Sequence, residues 1–117
     1  MAVDETEAVV VLITAGSRDE AARLAEMLVE ARLAACVQIM PEIESVYRWQ
    51  GAVQREPEVL LLAKTLRGKF VELEREVRAL HSYETPEIIA LPVVAASLPY
   101  MEWLNANTLS LSEPDAT

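Results

Sequence analysis

The sequence predicts an α+β fold in which an antiparallel sheet carries two helices on one face. Apolar runs rich in β-branched residues alternate with stretches of helical spacing, in the order strand, helix, strand, strand, helix, strand. Glycine and proline mark the breaks between these stretches. With 117 residues, 52% of them hydrophobic, the chain is long enough for one domain with its own core. We expect that domain over residues 8–105, with flexible ends at 1–7 and 106–117.

The first strand is predicted from an apolar run without polar alternation, and the first helix from the capping residues that follow it. Ala8–Ala15 is apolar almost throughout, which is typical of a strand buried on both faces, and Gly16 ends it. Ser17 then occupies the position of a helix N-cap, and Glu20 completes a capping box. The helix should end near residues 32–33, and its buried face repeats at helical spacing as Ala21, Leu24, Ala25 and Leu28.

The middle of the chain predicts a long hairpin. Apolar residues lead into Pro41, and beyond it apolar and polar residues alternate as in a half-exposed strand. A proline inside a strand indicates a bulge or an edge position. The first arm is expected to be a strand over 35–40, a kink at Pro41 and an alternating strand up to Trp49. Gly51 is expected to form the turn. The second arm is expected to begin with a short segment over 52–55, to break at Pro57 and to continue as a buried strand over 59–65.

The last part of the chain predicts a second helix, a rigid turn, a closing strand and a short third helix. Pro86 pushes Thr85 away from helical dihedral angles, so residues 88–91 are expected to form a strand. Ser97 can cap the third helix, in which a proline in the first turn is tolerated. This order is that of the split βαβ, or ferredoxin-like, fold, here a sandwich with an extended central hairpin and a C-terminal helix. The apolar face of the second helix, over about 66–80, is Phe70, Leu73, Val77 and Leu80.

The composition excludes several classes of partner. The net charge is −9, and the basic residues are scattered, whereas nucleic-acid binding needs clustered Lys and Arg. No apolar stretch reaches the roughly 18 residues that cross a bilayer, and the first residues lack the pattern of a signal peptide. We therefore expect a cytoplasmic protein without nucleic-acid or membrane partners. Its apolar excess suggests that another subunit covers part of its surface.

The sequence shows no arrangement for catalysis. There is one histidine, no serine in an elbow motif, and only three glycines, which form no phosphate-binding loop. Acylphosphatases share the predicted frame but need an arginine-bearing loop after the first strand, where this chain offers only Arg18. We expect neither enzymatic activity nor an organic cofactor.

Several short blocks, in order and at fitting spacing between residues 9 and 105, carry a family signature. They are Leu33–Val37, Val46–Gly51, Leu62–Thr65, His81–Pro92 and Tyr100–Leu104. Together they resemble the CutA family, also called divalent-cation-tolerance proteins. The resemblance implies a compact homotrimer in which the long hairpin reaches neighbouring subunits, with an architecture like that of the PII signalling proteins.

Two functions follow from this resemblance. The first is a trimeric protein that binds divalent metal ions, such as Cu(II), in the response to metal ions, since copper binding is a property of some members. The alternative is a PII-like scaffold that binds a small metabolite or a partner protein at the cleft between subunits. No reaction is established for the family as a whole.

The candidate metal ligands are His81 and Glu84. A copper or zinc site usually needs three or four ligands, so one chain with a single histidine and a single cysteine would need copies of itself to complete it. Some relatives have a second histidine at the position of Leu80 and a cysteine at that of Ile13, and both departures weaken the transfer of a copper site. The alternatives are a histidine satisfied at a helix end and, for Cys36, a small buried apolar residue.

A second candidate site is a pocket between subunits lined by Tyr47, Trp49, Lys64, Tyr83 and Glu87. A lysine beside aromatic rings could bind a small anion or a polar metabolite. In the competing interpretation Lys64 ends a strand or pairs with Glu87, and the aromatic residues of the hairpin pack against a neighbouring subunit.

Overall fold

The computed structural model of the protein describes residues 4–108. Of the predicted flexible ends, 1–7 and 106–117, residues 1–3 and 109–117 lie outside the described residues. The elements are β1 (Ala8–Ala15), α1 (Arg18–Glu30), β2 (Cys36–Trp49), β3 (Ala52–Leu66), a 3₁₀ turn (Arg67–Lys69), α2 (Phe70–Leu80), β4 (Ile88–Pro92) and α3 (Leu98–Ala106).

The four strands form one antiparallel sheet in the order β2-β3-β1-β4. The predicted α+β class and the order of its elements are therefore confirmed. β1 lies in the middle of the sheet, with a neighbouring strand on each edge. Its residues that face the helices are buried, whereas Val10 and Leu12 on the other face are only partly buried, so the burial on both faces that the sequence predicts is incomplete in the single chain. In the described chain, none of the helices is long and apolar enough to cross a bilayer.

The core lies between one face of the sheet and the helices α1 and α2. Alternate residues of β1 and β3 pack against the apolar stripes of both helices, as the spacing predicts. Each fully buried leucine or isoleucine contributes about 1.5–3 kcal/mol relative to an exposed one. The side chains that define this layer are Val11, Ile13, Leu24, Leu28, Leu61, Leu73 and Val77, all fully buried.

The central hairpin is longer and more continuous than predicted. The irregularity at Pro41 is confirmed, because the pairing register shifts between Met40 and Ile43. The predicted break at Pro57 is wrong, since Pro57 pairs with Glu44 inside β3. β1 pairs with β3 only from Val59 onward, so one side of β3 is open at Pro57 and a residue without an N–H is tolerated there.

Helix α1 ends at Glu30, about two residues earlier than predicted. Arg32 adopts φ 60°, and the amides of Arg32 and Leu33 donate to the carbonyls of Val29 and Leu28 at 3.1 and 2.9 Å. This is a Schellman ending, for which glycine is the usual sequence signal. With arginine at the left-handed position, the signal is missing from the sequence.

Helix α2 begins at Phe70, four residues later than predicted, because a 3₁₀ turn precedes it. The amides of Arg67 and Gly68 donate to the carbonyls of Glu7 and Glu5, at 2.8 and 2.9 Å, which ties this turn to the segment before β1. Leu80 was expected on the buried face of α2, but it is exposed in the single chain.

Candidate functional site

Three elements bring polar side chains together at one end of the sheet. They are the end of β1 at Thr14, the first turn of α1 and the segment that follows α2. Ser17 caps α1 as predicted, because its Oγ accepts the Glu20 amide at 3.1 Å. With the helix begun in this way, Glu20 points inward and is buried.

Glu20 connects α1 to the segment after α2. Its carboxylate accepts the Ser82 amide at 2.7 Å and the Ser82 hydroxyl at 3.0 Å, and it accepts the Gly16 amide at 3.3 Å. Burial alone would raise the pKa of Glu20, but the hydrogen bonds from the Ser82 amide and hydroxyl and from the Gly16 amide outweigh burial and lower this pKa. Glu20 is therefore a charged group held inside the fold.

His81 lies beside Glu20 and is buried, with 0% of its side chain accessible. Its Nε2 lies 2.7 Å from the Thr14 carbonyl oxygen, and its Nδ1 accepts the Tyr83 amide at 3.0 Å. The nearest Glu20 oxygen is 3.6 Å from Nδ1. Both ring nitrogens are thus engaged by the chain's own backbone.

Tyr83 extends from this buried group to the base of the hairpin. Its ring lies 4.7 Å from that of His81, and its hydroxyl donates to Glu58 Oε2 at 2.9 Å. A Cβ added at Gly16 would come within 3.1 Å of the Tyr83 Oη, so glycine leaves room for the phenol. Partial burial, the hydrogen bond to Glu58 and the charges of Glu58 and Glu20 raise the pKa of Tyr83 to about 12.

The structure does not bring the predicted metal ligands together within one chain. Glu84 is exposed, and the carboxylate beside His81 is that of Glu20. Cys36, expected to be buried, is half-buried. Within residues 4–108, no group of three or more His, Cys, Asp or Glu is arranged to hold a metal ion. A site shared between subunits at His81 and Glu84 stays a prediction.

The predicted pocket residues are also spread over the single chain. Lys64 Nζ donates to Gln38 Oε1 at 2.7 Å. Lys64 lies six residues along β3 from Glu58, which places the two residues about 20 Å apart at about 3.3 Å per residue. Tyr47 is near enough to Tyr83 to contribute to its raised pKa. Trp49 lies at the end of the hairpin, and Glu87 is exposed. A pocket between subunits stays a prediction.

Sequence reasoning missed three residues of the polar cluster. Glu20 was interpreted only as a capping residue, and Thr14 and Glu58 were not singled out. Glu20 meets Ser82 across 62 positions, and Thr14 meets His81 across 67. Among these three residues, only Glu20 has a local sequence signal for the cluster. It lies three residues after the N-cap Ser17, and an acidic side chain at that position points back toward the preceding strand.

The chain matches known proteins along nearly its whole length. The family model of the CutA1 divalent ion tolerance protein matches residues 9–107. A divalent-cation tolerance protein CutA from Thermus thermophilus is 50% identical over 85% of this chain and 96% of that protein. A chloroplastic CutA from Arabidopsis thaliana is 45% identical, and the match covers 86% of this chain and 55% of that longer protein.

The fold agrees with these matches. The crystal structure of CutA1 from Oryza sativa has a TM-score of 0.86 and 42% identity, over 89% of this chain and 97% of that one. Similarity in sequence and similarity in structure therefore cover the same domain. The chain belongs to the CutA1 divalent ion tolerance protein family.

Proposed function

We propose that this chain acts in divalent-cation tolerance as a homotrimer that binds divalent metal ions once assembled. The family is named for ion tolerance and not for a reaction. The observation that carries the proposal is the apolar surface that the single chain leaves exposed. A soluble monomer rarely exposes large contiguous apolar patches.

The hairpin supplies the most prominent part of that surface. β1 pairs with β3 only over residues 59–66, so the arm over residues 52–58 has β2 as its single neighbour and extends beyond the core. Trp49 and Val53 are exposed by 53% and 66%, and alternation places them on opposite faces of this arm. Further exposed apolar residues lie on β4 and α3: Ile89, Leu91, Leu98 and Trp103.

Both edges of the sheet are also unpaired in the single chain. β2 and β4 each have one neighbour in the strand order. An unpaired edge with apolar side chains is a surface that another strand or subunit readily covers. The apolar hairpin and the two open edges together support a closed oligomer.

The proposed metal binding follows from the family and from charge. The chain carries a net charge of −9, which attracts cations to its surface. A single chain offers no complete ligand set within residues 4–108, so a site would combine residues from more than one copy. His81 and Glu84 remain the ligands predicted from the sequence.

Light scattering during size-exclusion chromatography tests the assembly. We expect a mass near three times the 13.0 kDa of one chain. Trp49→Asp and Val53→Asp should each shift the mass toward 13.0 kDa, because a buried charge opposes assembly. Val71→Asp is the matched control, since Val71 is an exposed apolar residue on α2, away from the hairpin. A monomeric wild type would contradict the proposal.

Calorimetric titration of the wild-type protein with Cu(II) and Zn(II) tests metal binding. We expect saturable binding that the monomeric hairpin variants lose. Mg(II) serves as the control for diffuse attraction to the acidic surface, which salt should screen. If the protein is a trimer but its Cu(II) and Zn(II) signals disappear at raised salt, the proposed metal binding is contradicted and the proposed trimer is not.

A second candidate function is a PII-like scaffold whose subunit cleft holds a small metabolite or a partner. Tyr83 and Glu58 favour it, because their hydrogen-bonded polar groups lie at the base of the exposed hairpin, and Tyr47 lies farther along the same hairpin. A thermal-shift screen of nucleotides, organic acids and amines tests it. A compound that stabilises the wild type but not Tyr83→Phe would support this function, and no response to any compound would oppose it.

A further inference from the structure

We infer that His81 is a positioning residue that orients Tyr83, and that it does not ligate the metal ion even in the assembled protein. This role deepens the proposed function, since it concerns the metal contacts of the same assembly. It differs from the ligand role that the sequence predicts for His81, and the contacts of the imidazole decide between the two.

The hydrogen bonds of His81 define a single state of its ring. The Thr14 carbonyl oxygen can only accept, so Nε2, at 2.7 Å from it, must carry a hydrogen. The Tyr83 amide can only donate, so Nδ1, at 3.0 Å from it, must offer a lone pair. Together these contacts specify a neutral imidazole with its hydrogen on Nε2.

That state leaves no lone pair for a metal ion. A histidine binds a metal through an unprotonated ring nitrogen, and the only such nitrogen of His81 already accepts the Tyr83 amide. Binding through Nε2 would move the hydrogen to Nδ1, which would face the Tyr83 N–H, and would leave the Thr14 carbonyl without its donor. The side chain has 0% of its surface accessible in the single chain, and assembly can only cover it further.

The same contacts give His81 a positive role. Nε2 ties the segment after α2 to the end of β1, and Nδ1 holds the amide of Tyr83. The imidazole also packs against the Tyr83 ring at 4.7 Å. These restraints direct the phenol past Gly16, so that its hydroxyl meets Glu58 at 2.9 Å. His81 therefore determines where the hydroxyl of Tyr83 lies.

Nitrogen-15 NMR of the wild-type protein, labelled at histidine, tests the inference directly. The single histidine makes the assignment unambiguous. We expect the signals of a neutral ring protonated at Nε2, unchanged when Zn(II) is added to saturation. A zinc-dependent shift of either ring nitrogen to a metal-bound value would overturn the inference. This experiment needs no variant, so misfolding cannot obscure it.

Two matched variants test the positioning role. His81→Gln can keep the donor to Thr14, whereas His81→Asn can keep an acceptor near the Tyr83 amide. We expect both to shift the ring signals of Tyr83 and to change the Zn(II) affinity less than twofold. Leu24→Ala, a core variant destabilised by the cavity that it leaves, should leave those ring signals in place. A tenfold loss of affinity, or unmoved Tyr83 signals in both variants, would contradict the assignment.

The outcomes separate this role from the proposed function. If the wild-type protein binds no Zn(II), the proposed metal binding fails, but the ring state and the Tyr83 signals still test His81. If Zn(II) binds and His81 shifts with it, the proposed function stands and the positioning role fails.

Discussion

At the scale of single residues, Glu20 shows how a buried charge is kept stable. It has three hydrogen-bond donors, two from Ser82 and one from Gly16, and its pKa lies below the ordinary 4.5. Without these donors an ionised carboxylate in this position would be costly. The charge thereby links the start of α1 to the segment that carries Tyr83.

Glu20→Gln should destabilise the protein at neutral pH by about 1–3 kcal/mol, because an amide replaces a charged acceptor. The lowered pKa stabilises the folded state fully above the unfolded value of 4.5, and this contribution is lost as the pH falls through the folded pKa. Urea unfolding from neutral to acidic pH measures the difference in free energy of unfolding between the wild type and Glu20→Gln. This difference should become smaller at acidic pH. The control is Glu26→Gln, on the exposed side of α1. A constant difference across the range would contradict this account.

Glu58→Gln should lower the pKa of Tyr83 from about 12 part of the way to the ordinary 10.0. The change removes the carboxylate charge but leaves the burial of the phenol, which is the larger cause. Carbon-13 NMR of labelled tyrosine, followed against pH and assigned with Tyr83→Phe, measures this pKa. Glu56→Gln, on the same strand, is the control. An unchanged Tyr83 pKa in Glu58→Gln would show that the hydrogen bond is absent in solution.

At the scale of elements, the turn of the hairpin depends on two residues with positive φ. Gln50 and Gly51 adopt φ 49° and 80° between the paired residues Trp49 and Ala52, as in a two-residue type I′ turn. Such a turn twists in the same sense as its strands. It therefore sets the register of the whole hairpin.

Gly51→Ala should destabilise the protein by about 1 kcal/mol, because a Cβ is disfavoured at positive φ. No atom lies within 4 Å of the added Cβ, so the cost would come from the backbone alone. Gln50→Asn should have the opposite sign, since asparagine is preferred at that position. Thermal unfolding measures the change in stability of each variant relative to the wild type. Equal effects of the same sign would contradict the turn assignment.

The sequence was sufficient for elements that depend on local patterns. The apolar run of β1, the cap at Ser17 and the bulge near Pro41 each have a nearby signal, and each was predicted correctly. Pro57 was misinterpreted because its tolerance depends on where the β1 ladder ends, which local sequence does not show. The end of α1 was missed because Arg32 takes a place usually held by glycine.

The candidate site was predictable only in part for the same reason. His81, Tyr83 and their proline-containing segment stand out in the sequence. Their partners Thr14, Glu20 and Glu58 are far away in the chain, and each is an ordinary residue in its own segment. Lys64 lies six residues along β3 from Glu58 within one chain, and the pocket between subunits that it is predicted to line stays a prediction.

At the scale of the whole molecule, stability should depend on protein concentration. If the hairpin surface is buried by assembly, association stabilises the folded state by mass action. Tm should then rise with concentration for the wild type and for Val71→Asp, but not for Trp49→Asp. Calorimetric scans over a hundredfold range of concentration measure this. A concentration-independent Tm for the wild type would contradict assembly-linked stability.

The continuity of the central hairpin also bears on the order of folding. β2 and β3 are joined by a two-residue turn, whereas the β1 ladders connect residues 8–15 with 59–66 and residues 9–13 with 88–92. Closing a short loop costs less entropy, and hairpins form within about 1–10 μs, so we expect β2 and β3 to pair before β1 joins them. During synthesis the projecting arm would then exist before β4 has left the ribosome. The chain would thus expose the apolar side chains of the hairpin while its own core is still incomplete.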